Sequence, residues 1–254
     1  MTAAASRGAA APTGTDVAMV SCVRVLVIDI GGSSVKLHVP DQDETIRIES
    51  GQHLDPDTLV VEVQERVAAD AYNCVSIGFP GPMGRTEPVG EPRNLGNGWV
   101  GYDFEAKFEK PVRFLNDAAM QALGAYDGGR MLFLGLGTGL GSALVSDRII
   151  VPLELGCLPF TEQETLAQRL GRRGLERIGV DEWRRSLAET TASLRESFVA
   201  DYVMLGGGNV ELVDPLPPHA RRGGNDDAAT GGIRLWEHWV KSHDSGPATW
   251  RIVR

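Results

Sequence analysis

The chain has 254 residues, with 34 acidic side chains against 25 Lys and Arg, a formal net charge of -9 and 42% hydrophobic residues. That is a soluble globular composition, long enough for one large domain or two of moderate size. The acidic balance excludes the dense basic footprint of nucleic-acid binding, and no run approaches the roughly 18 apolar residues of a membrane span.

Residues 1–22 are rich in Ala with Gly, Pro and Thr and lack an apolar h-region, so they read as a disordered tail and not a signal peptide. A cytoplasmic protein is expected. Order begins near Val23. Strands at Val23–Ile28, Val35–Val39 and Glu44–Glu49 would form a meander, because Val35, Leu37 and Val39 alternate with Lys36 and His38. Asp55 to Ala69 reads as a helix, with Leu59, Val63 and Val67 four apart. Val75–Phe79 is a short buried strand, ended by the loop FPGPMG, which its Pro and Gly residues keep out of helix or central strand. Residues 84–101 have almost no periodicity and form an extended excursion, a kind of segment that is usually functional.

Val112–Leu115 is the next strand, followed by Asn116, Asp117 and the helical run AAMQALGAY. Met131–Leu134 leads into the turn GLGTGLGS, and Ala143–Val145 continues outward. The second half thus echoes the opening: apolar strand, glycine turn, strand. Two related α/β lobes with a cleft between them are expected. Residues 163–199 read as mainly helical with a break at Gly179, Tyr202–Leu205 as a strand ending in GGGN, LVDPLPPHARRGGNDD as loop, and Thr230–Val240 as a final helix. The expected division is a tail at 1–22, a lobe at 23–115, a second lobe at 116–240 whose last helix is free to pack back on the first, and a tail at 241–254.

Gly31 and Gly32 free the backbone to turn successive N–H groups toward one point, an anion-binding concavity to which Ser33 and Ser34 add hydroxyls. Asp29 beside it would repel phosphate unless a metal mediates, which suggests outer-sphere Mg²⁺ contact. Gly137, Thr138, Gly139 and Gly141 repeat the device. Gly206, Gly207 and Gly208 permit close approach of a flat ligand or phosphate, or serve as a helix entry with Asn209 as cap. Asn116 and Asp117 fit N-capping equally well with proton abstraction from a substrate hydroxyl during phosphoryl transfer. Glu154 could accept sugar hydroxyls or be an exposed loop acid.

Cys157 reads as a small buried apolar residue, and His38 as a solvated strand position. The three cysteines, Cys22, Cys74 and Cys157, suggest neither a disulfide framework nor a four-cysteine zinc site. The arginine pairs at 172–173, 184–185 and 221–222 read as solvated helix faces and loops.

Taken together, VIDIGGSSVK, GFPGPM, NLGNGW, FLNDAAMQALGAY, LGLGTGLGSALV, LELGCLP, GRRGLERIG and YVMLGGGN resemble, in order and spacing, the ROK sugar kinases, and within them the polyphosphate/ATP glucokinase branch. The resemblance runs from about Val23 to Trp239. It implies the two-lobed actin-like ATPase (ribonuclease H-like) α/β fold with an interlobe cleft. It also implies phosphoryl transfer from ATP or polyphosphate, with Mg²⁺, to a hexose hydroxyl, usually the 6-hydroxyl of glucose. By this resemblance Asp117 is the general base, and Asn116, Glu154 and Glu176 are sugar ligands, with Gly81 in the substrate-side loop. Asp29, Gly31, Gly32, Ser33, Lys36, Gly137, Thr138 and Gly139 hold phosphates, and Gly207 and Gly208 the nucleotide.

Cys157 stands where the family's E-x-G-H segment has its sugar-holding His, and no cysteine-rich zinc motif follows, so no structural zinc is expected. A thiol is a poorer hydrogen-bond partner than imidazole, which leaves a non-glucose acceptor or a catalytically reduced sugar or nucleotide sensor as alternatives. A DNA-binding repressor, which would carry an N-terminal helix-turn-helix, is not expected. A homodimer is left open.

Overall fold

The computed structural model describes residues 23–237, apart from 148 and 225, together with the strand Arg251–Ile252. The tails expected at 1–22 and 241–254, and residues 238–240 of the expected last helix, lie outside the described residues apart from that strand.

Two six-residue apolar runs, Val25–Ile30 (β1) and Cys74–Phe79 (β4), are buried along their whole length and pair in parallel at the centre of one sheet. Strand alternation sends Leu26, Ile28 and Ile30 to one core and Val25 and Val27 to another. Ser34–His38 (β2) and Ile46–Glu49 (β3) complete the antiparallel meander, and Val112–Asn116 (β5) adds a parallel edge beyond β4. The order is β3-β2-β1-β4-β5.

The second sheet is built the same way. Met131–Leu136 (β6), Leu140–Ser146 (β7) and Ile149–Leu153 (β8) form an antiparallel meander, and Tyr202–Gly206 (β9) and Ala220–Arg222 (β10) extend it in parallel on the other side of β6. Its order, β10-β9-β6-β7-β8, repeats the first sheet strand for strand, with Arg251–Ile252 (β11) added at β8. The echo read in the glycine turns therefore extends to the whole topology.

Helices fill the spaces the two sheets leave. On the outer face of the first sheet lie Pro56–Arg66 (α1) and Phe104–Phe108 (α2). Between the sheets lie Asp117–Ala125 (α3) and Asp227–Glu237 (α7), where Ala119, Met120 and Leu123 pack with Val27, Phe133 and Met204. Leu166–Leu170 (α4), Arg172–Ile178 (α5) and Val180–Ser197 (α6) cover the far face of the second sheet. α3 and α7 touch through their backbones: a side-chain carbon on Gly124 would lie 1.8 Å from Asp227 O, and one on Gly231 would lie 1.9 Å from Met120 O. The Trp236 indole donates to Ser76 Oγ at 2.8 Å, and that hydroxyl donates to Gly232 O at 2.7 Å, which ties α7 to β4.

Several expectations are corrected. Asp55 is not the first helical residue of α1 but its cap, accepting from the Thr58 N–H at 2.8 Å. The helical stretch at 163–199 breaks at Gly171 as well as Gly179. The segment expected as loop before α7 contains β10, and α2 and β8 arise where no element was expected. His38 is half-buried, not solvated: its register partner is Val27, which faces the inter-sheet side, and its Nε2 has no hydrogen-bond partner among the described residues.

The 84–101 excursion is irregular but firmly held. Trp99 is fully buried against Phe79, with ring centroids 5.3 Å apart, and its indole donates to Gly96 O. The Glu91 carboxylate accepts the N–H groups of Gly98, Trp99 and Val100. A long loop with these anchors presents its remaining residues to the cleft in fixed positions.

Candidate active site

A cleft of about 1330 Å³ opens between the two sheets. One wall is the β1–β2 turn. Gly31 N–H donates to Ser34 O at 3.1 Å, and neither Gly31 nor Gly32 adopts positive φ. Space is what glycine supplies here, since a side-chain carbon on Gly32 would come within 2.9 Å of Thr138 Oγ1 on the β6–β7 turn. The two glycine turns therefore face each other. Gly137 O accepts from Arg172 N–H at 2.9 Å, and Asn209 N–H donates to Leu136 O at 2.9 Å, so the second turn is braced from α5 and from the end of β9. Gly207, at φ 81°, is left-handed, and a side-chain carbon there would strike the Leu136 backbone. Gly206, Gly207 and Gly208, with Gly223 and Gly224, line that wall as bare backbone.

At the junction of β5 and α3 the two readings of Asn116 and Asp117 separate. Asn116 caps the helix, its Oδ1 accepting from Ala119 N–H at 3.1 Å. Asp117, the first helical residue, accepts from the Ala118 N–H at 2.8 Å and lines the cleft. Burial above all, with the negative charge of Asp29 and then Glu154, pushes its carboxyl up to about 7, against the pull of the Ala118 N–H. Asp29, only 4% exposed, lies 3.6 Å from Lys36 Nζ; burial raises its pKa, and the Lys36 charge opposes that. Two carboxyls with raised pKa values share one cleft with two glycine turns, an arrangement suited to accepting a proton beside a polyanion.

The opposite side is formed by the 3-10 turn Leu155–Cys157 after β8. Ser142 Oγ donates to Leu153 O at 2.9 Å and accepts from Leu155 N–H at 3.0 Å, fixing the segment that carries Glu154. Leu155 turns into the core, and the tight turn consequently sends both Glu154 and Cys157 outward into the cleft. Cys157 is exposed, which corrects the expectation of a buried thiol. Gly81 lines the cleft beside the Phe79 ring. Glu176 is not brought to this group: it is exposed on α5, outside the lining.

Asn94 and Arg172 enter the cleft without having been singled out as site residues. Asn94 belongs to NLGNGW, whose lack of periodicity was the available signal. Arg172 reaches the cleft through the α4–α5 corner, which leaves no mark in local sequence. Among the described residues no group of three or more His, Cys, Asp or Glu side chains could hold a metal ion unaided.

This architecture, two like-built sheets around a shared cleft, is the two-lobed α/β fold of the actin-like sugar kinases. It superposes on an inorganic polyphosphate/ATP-glucomannokinase from Arthrobacter sp. strain KM with a TM-score of 0.70 at 24% identity, covering 84% of this chain and 98% of that one. A ROK family glucokinase from Streptomyces griseus, solved with glucose and AMPPNP, gives a TM-score of 0.67 at 19% identity, covering 84% and 98%. In sequence the chain is similar to the polyphosphate glucokinase of Mycobacterium leprae (strain TN), 26% identical over 219 residues that cover 75% of this chain. It spans 65% of that relative's length. No family model matches the chain. The resemblance to ROK sugar kinases drawn from the motifs is borne out in sequence and in fold.

Proposed function

We propose that the protein is a sugar kinase that transfers the terminal phosphoryl group of ATP or polyphosphate to a hexose hydroxyl, the 6-hydroxyl of glucose first. The observation that carries this reading is the Asp117 carboxyl, pushed up to about 7, at the base of a cleft walled by two facing glycine turns. Asp117 takes the hydroxyl proton as the sugar oxygen attacks phosphorus. Asn116, whose Oδ1 is engaged in capping, keeps its amide N–H groups for the sugar. Glu154 accepts sugar hydroxyls, and Gly81 leaves room for the ring.

The donor's phosphates lie against Gly31, Gly32 and Ser33 on one side and Gly137, Thr138 and Gly139 on the other, with Lys36 adding positive charge. Gly207 and Gly208 leave a flat wall for a nucleotide. The Asp29 charge disfavours ionisation of Asp117, which fits a divalent cation arriving with the donor and held by Asp29 through water. Bound Mg²⁺ supplies charge neutralisation to the phosphates. Glu176 is assigned no role. No helix among the described residues is long and apolar enough to cross a membrane; we place the activity in the cytoplasm.

A matrix of ATP, GTP and polyphosphate against glucose, mannose, glucosamine and N-acetyl sugars tests this reading. Sugar binding with no transfer from any donor would instead establish a sensor. Because the base must be ionised, turnover should rise with pH across a carboxyl that titrates at about 7 and level off above it. A profile flat from pH 6 to pH 8 would remove Asp117 from the role.

Cys157 gives a second reading of the acceptor: a thiol facing the cleft favours a hexose other than glucose. Cys157 is exposed, whereas Cys74 is buried and its thiol is pushed up to about 11 by that burial. Iodoacetamide should therefore label Cys157 and spare Cys74 in peptide mass maps. The true acceptor sugar should slow the labelling, and sugars that do not bind should leave its rate unchanged.

A further inference from the structure

The three adjacent arginine pairs differ in their surroundings. On α6, Arg184 pairs with Asp181 and Arg185 with Glu182; Arg221 pairs with Asp127 and Arg222 with Glu211. Arg172 and Arg173 have no acidic partner among the described residues. Of these two, only Arg172 lines the cleft.

Its position is built, not incidental. Gly171 packs so closely on the second glycine turn that a side-chain carbon there would lie 2.6 Å from Thr138 O. The Arg172 N–H donates to Gly137 O at 2.9 Å, so the residue's backbone is part of that turn's support. From there the side chain crosses the cleft, and Nη1 comes within 3.4 Å of Ser33 Oγ on the first turn. Lys36 is already paired with Asp29. Arg172 thus brings an unpaired charge to the gap between two stretches of bare backbone, and its planar fork of donors matches the geometry of phosphate oxygens.

We propose that Arg172 is a donor-binding residue that pairs with the departing phosphate of the phosphoryl donor. The proposal rests on the kinase reading above. As the sugar oxygen–phosphorus bond forms, the hydroxyl proton passes to Asp117. The bond between the transferred phosphorus and the donor's bridging oxygen breaks, and its electron pair stays on that oxygen. The negative charge growing on the departing phosphate is what the guanidinium fork neutralises, through charge-assisted hydrogen bonds. ATP and polyphosphate share this phosphoanhydride linkage, so the contact serves either donor.

The test is calorimetric titration of tripolyphosphate, and separately ATP, into wild type and the R172A, R172K and R173A variants, with glucose titrated alongside. R172A should weaken binding of the phosphate chain at least about tenfold, the loss expected for a charge-assisted contact. R172K should fall between it and wild type, and R173A should match wild type. Glucose binding should be the same in all four, and thermal unfolding should confirm that each is folded. In transfer assays R172A should lose a similar factor in kcat/KM for the donor, with the sugar KM unchanged.

Equal tripolyphosphate binding by R172A and wild type overturns the proposal, as does a wild type that binds no tripolyphosphate. If wild type transfers phosphate and R172A does so equally well, the role of Arg172 falls and the kinase reading stands. If wild type binds tripolyphosphate but transfers to no acceptor, the kinase reading falls, and the calorimetry alone decides whether Arg172 holds the phosphate chain.

Discussion

Asp117→Asn should abolish transfer while making the protein harder to unfold. The rate should fall by about 10²- to 10⁴-fold, the contribution usual for a positioned general base, with sugar binding nearly intact. Asparagine keeps the oxygen that accepts from the Ala118 N–H but cannot take a proton. The gain in stability follows from linkage. The native carboxyl titrates at about 7, above the roughly 3.9 of an unfolded aspartate, so the folded state binds the proton more tightly. Its contribution is therefore complete below the unfolded value and is lost as pH rises through about 7, leaving an ionised carboxylate held at a cost on the order of 4 kcal/mol. Replacement by Asn removes that cost, less the roughly 0.3–1 kcal/mol an acid contributes at a helix N-terminus. The rise in Tm should be several degrees at pH 8 and smaller at pH 5. Equal shifts at both pH values would mean that Asp117 carries no strained charge. Full activity in the variant would end its assignment as base.

The second large effect is expected at the crossing of α3 and α7. Gly124 lies inside a helix, where alanine is ordinarily about 1 kcal/mol better than glycine. Here the substitution should destabilise by about 3 kcal/mol or more, because the added carbon would meet the Asp227 carbonyl and force two backbones apart. The sign separates the two forces at work: propensity predicts a higher Tm for Gly124→Ala, packing a lower one. Gly231→Ala should behave alike, since its carbon would meet the Met120 carbonyl. Urea denaturation of both variants checks this, and an unchanged midpoint would refute the close contact.

The inner strands and glycine turns were legible because β1, β4, β6 and β9 are short apolar runs that end in glycine or a polar break. What escaped detection was short or masked by chemistry. β10 is three residues long, two of them arginines, and is a strand only because β9 offers it an edge. β8 contains Pro152, which argues against a central strand; β8 nevertheless pairs with β7 along five residues. FEAKF is too short to show helical periodicity, and α2 forms because Asp103 caps it and Phe104 and Phe108 reach the core.

For the candidate site, the residues on β1, the glycine turns and the start of α3 could be marked from the sequence, because motif and strand end coincide there. Glu176 could not be excluded nor Arg172 included by the same means. They lie four residues apart on one short helix, and only the packing of Gly171 against the second turn decides which of them meets the cleft.

The repeated strand order lets the two walls of the cleft be compared residue by residue. The reciprocal contacts of Gly124 with Asp227 and of Gly231 with Met120 put α3 and α7 in matching positions, so each half of the cleft can be aligned on the other. Counted back from those glycines, the counterpart of Asp117 is Gly224; counted from the strand ends, the counterpart of Asp29 is Gly135. All four line the cleft. The two halves of the cleft are thus unlike at these positions, one carrying two acids and the other two glycines. Both walls offer bare backbone at their glycine turns, but only the first adds carboxyls to it at these positions. One repeated topology therefore presents two chemically different walls to the cleft, and the difference lies in side chains and not in the fold.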